Sequence, residues 1–311
     1  MYQLEVAPGI TFVEGERRGR FPYGDVLVLE GREARVLVDT GAGEEVLTAV
    51  LDRGPVDVVI NTHYHLDHVR GNVLAASRSP GAAFWCPEGE SEPLTSWEGF
   101  LRFTGFDHPG LGDARRFRSG LGWSPTPVAR ELADGEVLDF GGLRATVLRL
   151  SGHTPGHTGL WFEERRVLFT ADIDMSSFGP WYGDVFSSID DYLASLERLE
   201  RLAAGASGPR VVLTSHRRPL TVEGFRARLP AFRARFEERE ERILSILAGE
   251  GPLTLEDLTA RWPIYGRQRH VLPGLLKSER LMLAHHLERL ARSGRVRCVA
   301  GPGGEKVWEA L

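Results

Sequence analysis

Short apolar runs, each closed by polar or glycine residues, set the rhythm of the first two thirds of the chain. They occur at Asp25-Val26-Leu27-Val28-Leu29, Ala34-Arg35-Val36-Leu37-Val38, Val56 to Ile60, Ala145-Thr146-Val147-Leu148, Gly159-Leu160-Trp161-Phe162, Val167-Leu168-Phe169 and Val211-Val212-Leu213. Runs this short and this rich in branched residues predict buried strands. Helical spacing intervenes at Glu44 to Leu51 and at Tyr192 to Ala204, where Leu193, Leu196, Leu199 and Leu202 form an apolar stripe. The pattern predicts an α/β body of sheet packed on sheet with helices outside. Residues 97 to 128 break the rhythm: Trp97, Phe100, Phe103, Phe106, Phe117 and Trp123 lie among Arg102, Arg115, Arg116 and Arg118. An insertion or lid that meets substrate and a long loop that covers the core with its aromatics fit this composition equally well.

From about Pro230 the pattern turns helical. Charged residues Arg233 to Arg242 lead into Ile243-Leu244-Ser245-Ile246-Leu247, and after a Gly-Pro break Thr254 has the form of an N-cap. A helix over about Leu275 to Ser293 should end at Gly294, with Val296 to Val299 and Glu305 to Trp308 as a closing hairpin. The expected organisation is a catalytic body over 1–229 and a small winged-helix-like domain over 230–311.

Composition narrows the class. With 311 residues, 42% hydrophobic, the chain can bury one large core and a smaller one. It has no run of eighteen apolar residues, and its start lacks a basic segment followed by an apolar one, so a cytoplasmic protein without membrane contact is expected. Cys86 and Cys298 belong to no CxxC pair and suggest no disulfide framework. The net charge of −5 is uneven: residues 230–311 carry 14 Lys plus Arg against 11 Asp plus Glu, a balance of +3. Only Lys277 and Lys306 are lysines among 38 basic residues.

The candidate chemistry lies in His63-Tyr64-His65-Leu66-Asp67-His68, directly after the run ending at Ile60. Imidazole nitrogens and carboxylate oxygens are ligands for zinc, iron and manganese. Further candidates also sit just past strand ends, where a rigid sheet can aim loop side chains at one point: His153 in Ser151-Gly152-His153-Thr154-Pro155-Gly156-His157, then Asp172 and His216. Five histidines and two aspartates are enough for two metals. His108, His270, His285 and His286 show no ligand spacing and are expected on the surface or in packing.

On these residues, and on Asp134-Gly135-Glu136-Val137-Leu138 ahead of the His153 motif, the chain resembles the metallo-β-lactamase superfamily over approximately residues 5 to 220. The resemblance implies an αββα sandwich. It also implies that His63, His65 and His153 hold one metal, that Asp67, His68 and His216 hold the second, and that Asp172 bridges them. His65 stands where the related flavodiiron proteins carry glutamate, which favours two zinc ions per chain, with iron or manganese as alternatives. Two divalent ions, two aspartates and a bridging hydroxide leave a positive centre suited to an oxyanion transition state, and the hydroxide itself is a nucleophile at neutral pH. Asp67 is the expected catalytic residue, orienting the nucleophile or relaying a proton. Trp181 and Tyr182, in the stretch after Asp172, are candidate pocket walls. His157 is either a substrate contact or proton donor, or an outer hydrogen-bond partner that holds the turn.

The resemblance thus implies a dinuclear hydrolase of a small-molecule ester, thioester or lactone, like the hydroxyacylglutathione-hydrolase branch. The winged-helix-like tail resembles instead a mitochondrial single-strand RNA endonuclease of the same superfamily, and its arginines Arg267, Arg269, Arg295 and Arg297 could track phosphates. That tail could equally pack on the body or pair two chains as a homodimer. A single-iron oxidoreductase resembling persulfide dioxygenases is a further alternative. A non-catalytic protein with structural metals would not need seven intact ligands, and an exported β-lactamase would need a signal segment.

Overall fold

A computed structural model of the protein describes residues 2–107, 122–266, 273–301 and 303–311. Seven strands form the first sheet in chain order: β1 (Gln3–Ala7), β2 (Ile10–Val13), β3 (Val26–Glu30), β4 (Arg35–Val38), β5 (Val58–Ile60), β6 (Ala83–Pro87) and β7 (Val128–Leu132). β1 to β4 pair antiparallel, and β4 to β7 pair parallel. The second sheet comprises β8 (Val137–Asp139), β9 (Arg144–Arg149), β10 (Thr158–Phe162), β11 (Val167–Phe169), β12 (Val211–Leu213) and β13 (Leu220–Thr221), side by side in that order.

Alternate residues of each strand divide between two cores. Leu27, Leu29, Val36, Val38 and Ile60 meet Val147, Leu160, Phe162, Phe169 and Leu213 between the sheets. Val26, Val28, Leu37 and Val59 point outward and pack under Val46, Leu47 and Val50 of the Glu44–Leu51 helix. On the opposite outer face, Leu148, Leu168 and Val212 meet Leu196 and Leu199 of the Ile189–Ala204 helix. Strands covered on both faces have no reason to alternate apolar with polar, so they read as continuous apolar runs. The body is the αββα sandwich.

The division expected at 229/230 runs through the middle of one helix, Val222–Glu250. Pro230 sits inside it, although proline removes one helical hydrogen bond. Apolar packing on both sides of that position carries the helix through: Phe225, Leu229, Phe232 and Phe236 join the core outside the second sheet, and Ile243 and Leu247 join the same core farther on. Leu258, Ile264, Met282, Leu283, Leu287 and Leu290 complete it, so the tail and body share one apolar core.

Beyond that helix come β14 (Leu253–Thr254), a helix over Leu255–Thr259, a helix over Pro273–Arg292, and the hairpin β15 (Val296–Ala300) and β16 (Lys306–Ala310). The three strands form a sheet in the order β14-β16-β15. Thr254 caps its helix in a capping box with Asp257.

In the irregular segment, Ser96 caps a helix over Trp97–Thr104. Trp97, Phe100 and Trp123 are buried with Tyr64, Cys86 and Leu94, so these aromatics pack beneath the segment rather than facing substrate. His108, Arg115, Arg116, Phe117, Arg118, Arg267, Arg269 and His270 lie outside the described residues. Both cysteines are free thiols, Cys86 buried and Cys298 exposed. Among the described residues, no helix is long and apolar enough to cross a membrane.

Candidate metal centre

Each candidate ligand sits where a strand gives way to a loop. β5 ends at Ile60, and the turn over 61–65 leads into a short helix, Leu66–Val69, whose first turn carries Asp67 and His68. His153 follows β9, Asp172 follows β11 and His216 follows β12. The chain enters Asp172 through Ala171, whose φ of 45° is uncommon for a side-chain-bearing residue. That backbone is held by His157, which donates from Nδ1 to Leu150 O (2.9 Å) and accepts at Nε2 from Asp172 N (3.1 Å). His157 therefore fills the outer-partner alternative: both ring nitrogens are occupied, and the side chain is buried.

The seven predicted ligands converge as two groups that share one carboxylate. One ligand atom each from His63, His65, His153 and Asp172 lie within 4.8 Å of one another, as do those of Asp67, His68, Asp172 and His216. Asp172 Oδ2 lies 3.2 Å from His153 Nε2 and 3.9 Å from His63 Nε2. Its Oδ1 lies 2.9 Å from His68 Nε2 and 3.3 Å from His216 Nε2. Asp67 Oδ2 completes the second group at 3.5 Å from His216 Nε2.

The outward nitrogens fix every ring. His65 donates from Nε2 to Asp184 Oδ2 (2.7 Å), His153 from Nδ1 to Trp181 O (2.9 Å), and His216 from Nδ1 to Gly19 O (2.7 Å). Asp39 Oδ2 accepts from His68 Nδ1 (2.8 Å) and from the Thr62 hydroxyl (2.8 Å). With its own proton committed to Asp39, Thr62 Oγ accepts from His63 Nδ1 (3.0 Å). A neutral imidazole carries one N–H, so with that N–H turned outward each inward nitrogen presents a lone pair.

Three such lone pairs meet at close range, His153 Nε2 lying 3.2 Å from His63 Nε2 and 3.0 Å from His65 Nδ1. His68 Nε2 and Asp172 Oδ1 are buried without a hydrogen-bond partner despite their 2.9 Å approach. Acceptors crowded on acceptors repel unless a cation lies among them, so the donor set fits divalent metal. Without a metal, protons on His68 and His216 take the place of that cation beside Asp172. Asp172 draws His68 and His216 upward against burial, His216 to about 10, while burial and the neighbouring imidazoles hold His63 well below its usual range. Asp172 is itself held well below the carboxylate range, against burial, by His68 and His216. It attracts positive charge from both sides.

The two candidate pocket walls part company. Trp181 is half-buried, its ring centred 5.1 Å from that of His65 and 5.4 Å from that of His153. Tyr182 departs from the expectation: it is fully buried, and its hydroxyl meets His286 Nε2 (2.6 Å) and a guanidinium nitrogen of Arg239 (2.9 Å). Of the pair, Trp181 lies beside the candidate ligands and Tyr182 packs away from them.

A family model described as the metallo-beta-lactamase superfamily matches residues 19–216. The chain belongs to the metallo-β-lactamase superfamily. It is similar to a hydroxyacylglutathione hydrolase of Methylococcus capsulatus, 29% identical over 230 residues that cover 73% of this chain and 74% of that one. An acyl-coenzyme A thioesterase, MBLAC2, of Bos taurus is 28% identical over 197 residues, covering 57% and 67%. Among solved structures, the metallo-beta-lactamase family protein TTHA1429 of Thermus thermophilus superposes with a TM-score of 0.73 at 23% identity, covering 99% of this chain and 100% of that one. The shared fold thus includes the tail. This superfamily member is a metal-dependent hydrolase with a divalent-metal centre.

Three carboxylates escaped the sequence reading. Asp39 follows β4 as Asp172 follows β11, and its φ of 59° marks a constrained position, so strand-end placement was a usable signal. Glu90 is buried and accepts from Tyr64 N (3.0 Å), the Thr154 hydroxyl (2.7 Å) and Gly156 N (2.7 Å), tying the first histidine loop to the His153 loop. Burial pushes Glu90 up to about 7, against those donors. Asp184 lies within the stretch that holds Trp181 and carries no local signature.

Proposed function

We propose that the chain hydrolyses a small thioester at a centre of two zinc ions. His63, His65, His153 and Asp172 hold one ion, and Asp67, His68, His216 and the same Asp172 hold the other. The observation that carries the reading is the pair of ligand groups joined through the two oxygens of Asp172, with all five imidazoles oriented from behind. Two zinc ions would supply Lewis acidity and acidify water near neutral pH.

The chain's own groups support a thioester over an alkyl ester or a phosphodiester. Asp67 is 7% exposed at the second group and, among the described residues, is the one carboxylate ligand of that group besides the shared Asp172, which suits it to orient water and to pass a proton onward. His157 has no free nitrogen to act as a general acid. With His157 so held, a leaving group that departs as an anion suits the site. Thiols, with pKa about 8.5, do so far more readily than alcohols. Of the two relatives named above, one is by name an acyl-coenzyme A thioesterase and the other a hydroxyacylglutathione hydrolase, which supports the reading.

Among the described residues, the arginines of the tail are engaged within the protein, which favours the thioester reading over RNA. On the Pro273–Arg292 helix, Lys277, Ser278, Glu279, Met282, Leu283, His286, Leu287 and Leu290 are buried. Arg280 pairs with Glu256, and Arg289 with Asp190 and Glu240. Arg295 and Arg297 are likewise paired, with Glu241 and Glu309. The test is release of free thiol from acyl-glutathione and acyl-coenzyme A esters by zinc-loaded protein, with lactones and end-labelled RNA in parallel. Thiol release that Asp67→Ala abolishes supports the proposal; turnover of RNA or lactone alone refutes it.

A further inference from the structure

Lys277 lies on the tail helix Pro273–Arg292, yet its side chain ends beside the metal ligands' supports. It is 3% exposed, and its ammonium donates to Asp184 Oδ1 (2.7 Å) and Thr104 O (2.8 Å). The rings of Phe106 and Trp181 flank it, their centroids 4.8 and 5.7 Å from Nζ. Asp184 uses its other oxygen for His65 Nε2 (2.7 Å) and the Tyr64 hydroxyl (2.6 Å). Its main-chain carbonyl accepts from His285 Nε2 (2.8 Å). One carboxylate is thus stretched between a lysine of the tail and a histidine of the first ligand group.

The geometry points to Lys277 as a positioning residue for His65: by fixing the rotation of Asp184 it sets the direction in which His65 Nδ1 faces, and hence the metal affinity of the His63, His65 and His153 group. This rests on the ligand assignment proposed above. Without the ammonium, Asp184 keeps a buried charge with two partners on one oxygen and none on the other, and it is free to turn. The residue type fits the task. In a chain with two lysines among 38 basic residues, a compact ammonium stands where two acceptors and two aromatic faces converge. Among the described residues, the outer partners of His68 and His216 in the second group are Asp39 and Gly19 O, and neither touches Lys277.

The test measures zinc affinity by competition with a chromophoric chelator, using full-length protein with one ligand group disabled at a time. In a His216→Ala background, which isolates the first group, Lys277→Met should weaken zinc binding about tenfold or more, the scale found for outer partners of metal-bound histidines. In a His153→Ala background, which isolates the second group, it should change affinity less than about twofold. Equal losses in both backgrounds, or none in the first, overturn the inference. Should His153→Ala itself leave two tight sites, it is the ligand assignment that fails. If Lys277→Met does not fold, Lys277→Gln, which keeps a neutral donor, carries the same comparison with a smaller selective loss.

Discussion

Replacing Arg239 by methionine tests how the tail serves the catalytic body. Arg239, 1% exposed on the Val222–Glu250 helix, donates to Phe178 O (2.7 Å), Pro180 O (2.7 Å) and the Tyr182 hydroxyl (2.9 Å). Those acceptors belong to the segment that offers Trp181 O to His153 and Asp184 to His65. Methionine retains most of the apolar stem but strands two main-chain carbonyls, at about 1–3 kcal/mol each. Tyr182 keeps His286 as a partner, and the variant no longer buries a cation, which offsets part of the loss. The net expectation is about 2–4 kcal/mol of stability. At roughly 2–4 °C per kcal/mol, melting should fall by about 5–15 °C. Zinc affinity should fall as well, because two histidines lose their fixed supports. Thermal melts of zinc-loaded and chelator-treated protein, with a zinc titration, measure both effects. A melting shift under about 2 °C with unchanged zinc affinity would refute the idea that the helix clamps this segment.

Asp67→Ala should lower kcat by at least about 100-fold, the scale of a lost proton-transfer group, with little change in the melting of metal-free protein; comparable losses in both would make Asp67 a structural residue. Asp25 is buried, accepts from Gly15 N at Oδ1 and has no partner at Oδ2; burial pushes it from 3.8 up to about 7. A raised folded pKa favours the fold below pH 3.8 and loses that contribution as pH rises through about 7, so metal-free Asp25→Asn should be more stable than the parent at pH 8 and equal to it near pH 4. Denaturant melts at the two pH values check this, and a constant difference would contradict it. Deleting residues 240–311 should yield aggregated protein rather than a soluble body with altered RNA affinity, because Phe225, Phe232 and Phe236 share their core with Leu283 and Leu287. A monodisperse, metal-binding truncation on size-exclusion chromatography would show the tail to be separable.

The candidate ligands were legible because each is a scarce residue type placed just past a short apolar run, and a strand end is a local property. Their supports were not, because they arrive from far along the chain: Asp184 is 119 residues from His65, and Lys277 a further 93 from Asp184. No periodicity links such positions. The sandwich could be read from the strands, whose double burial leaves continuous apolar runs, and the tail's hairpin from its turn residues. The boundary expected at 229/230 falls inside the Val222–Glu250 helix, where Leu229 and Phe232 pack on either side of Pro230. Trp181 and Tyr182 are neighbouring aromatics in sequence; only the tertiary packing separates the residue beside the candidate ligands from the one buried against Arg239 and His286. Among the histidines expected on the surface or in packing, His285 and His286 are packing residues that hold the metal-side segment to the tail.

The central claim is that Asp172 joins two ligand groups, each able to hold one ion. Metal content per chain, measured after reconstitution with excess zinc and removal of loosely bound ion, tests it most directly. The account predicts two zinc ions per chain for the parent, one each for His153→Ala and His216→Ala, and fewer than one for Asp172→Ala, which damages both groups at once. Two ions retained by Asp172→Ala, or a parent that binds only one, would contradict it.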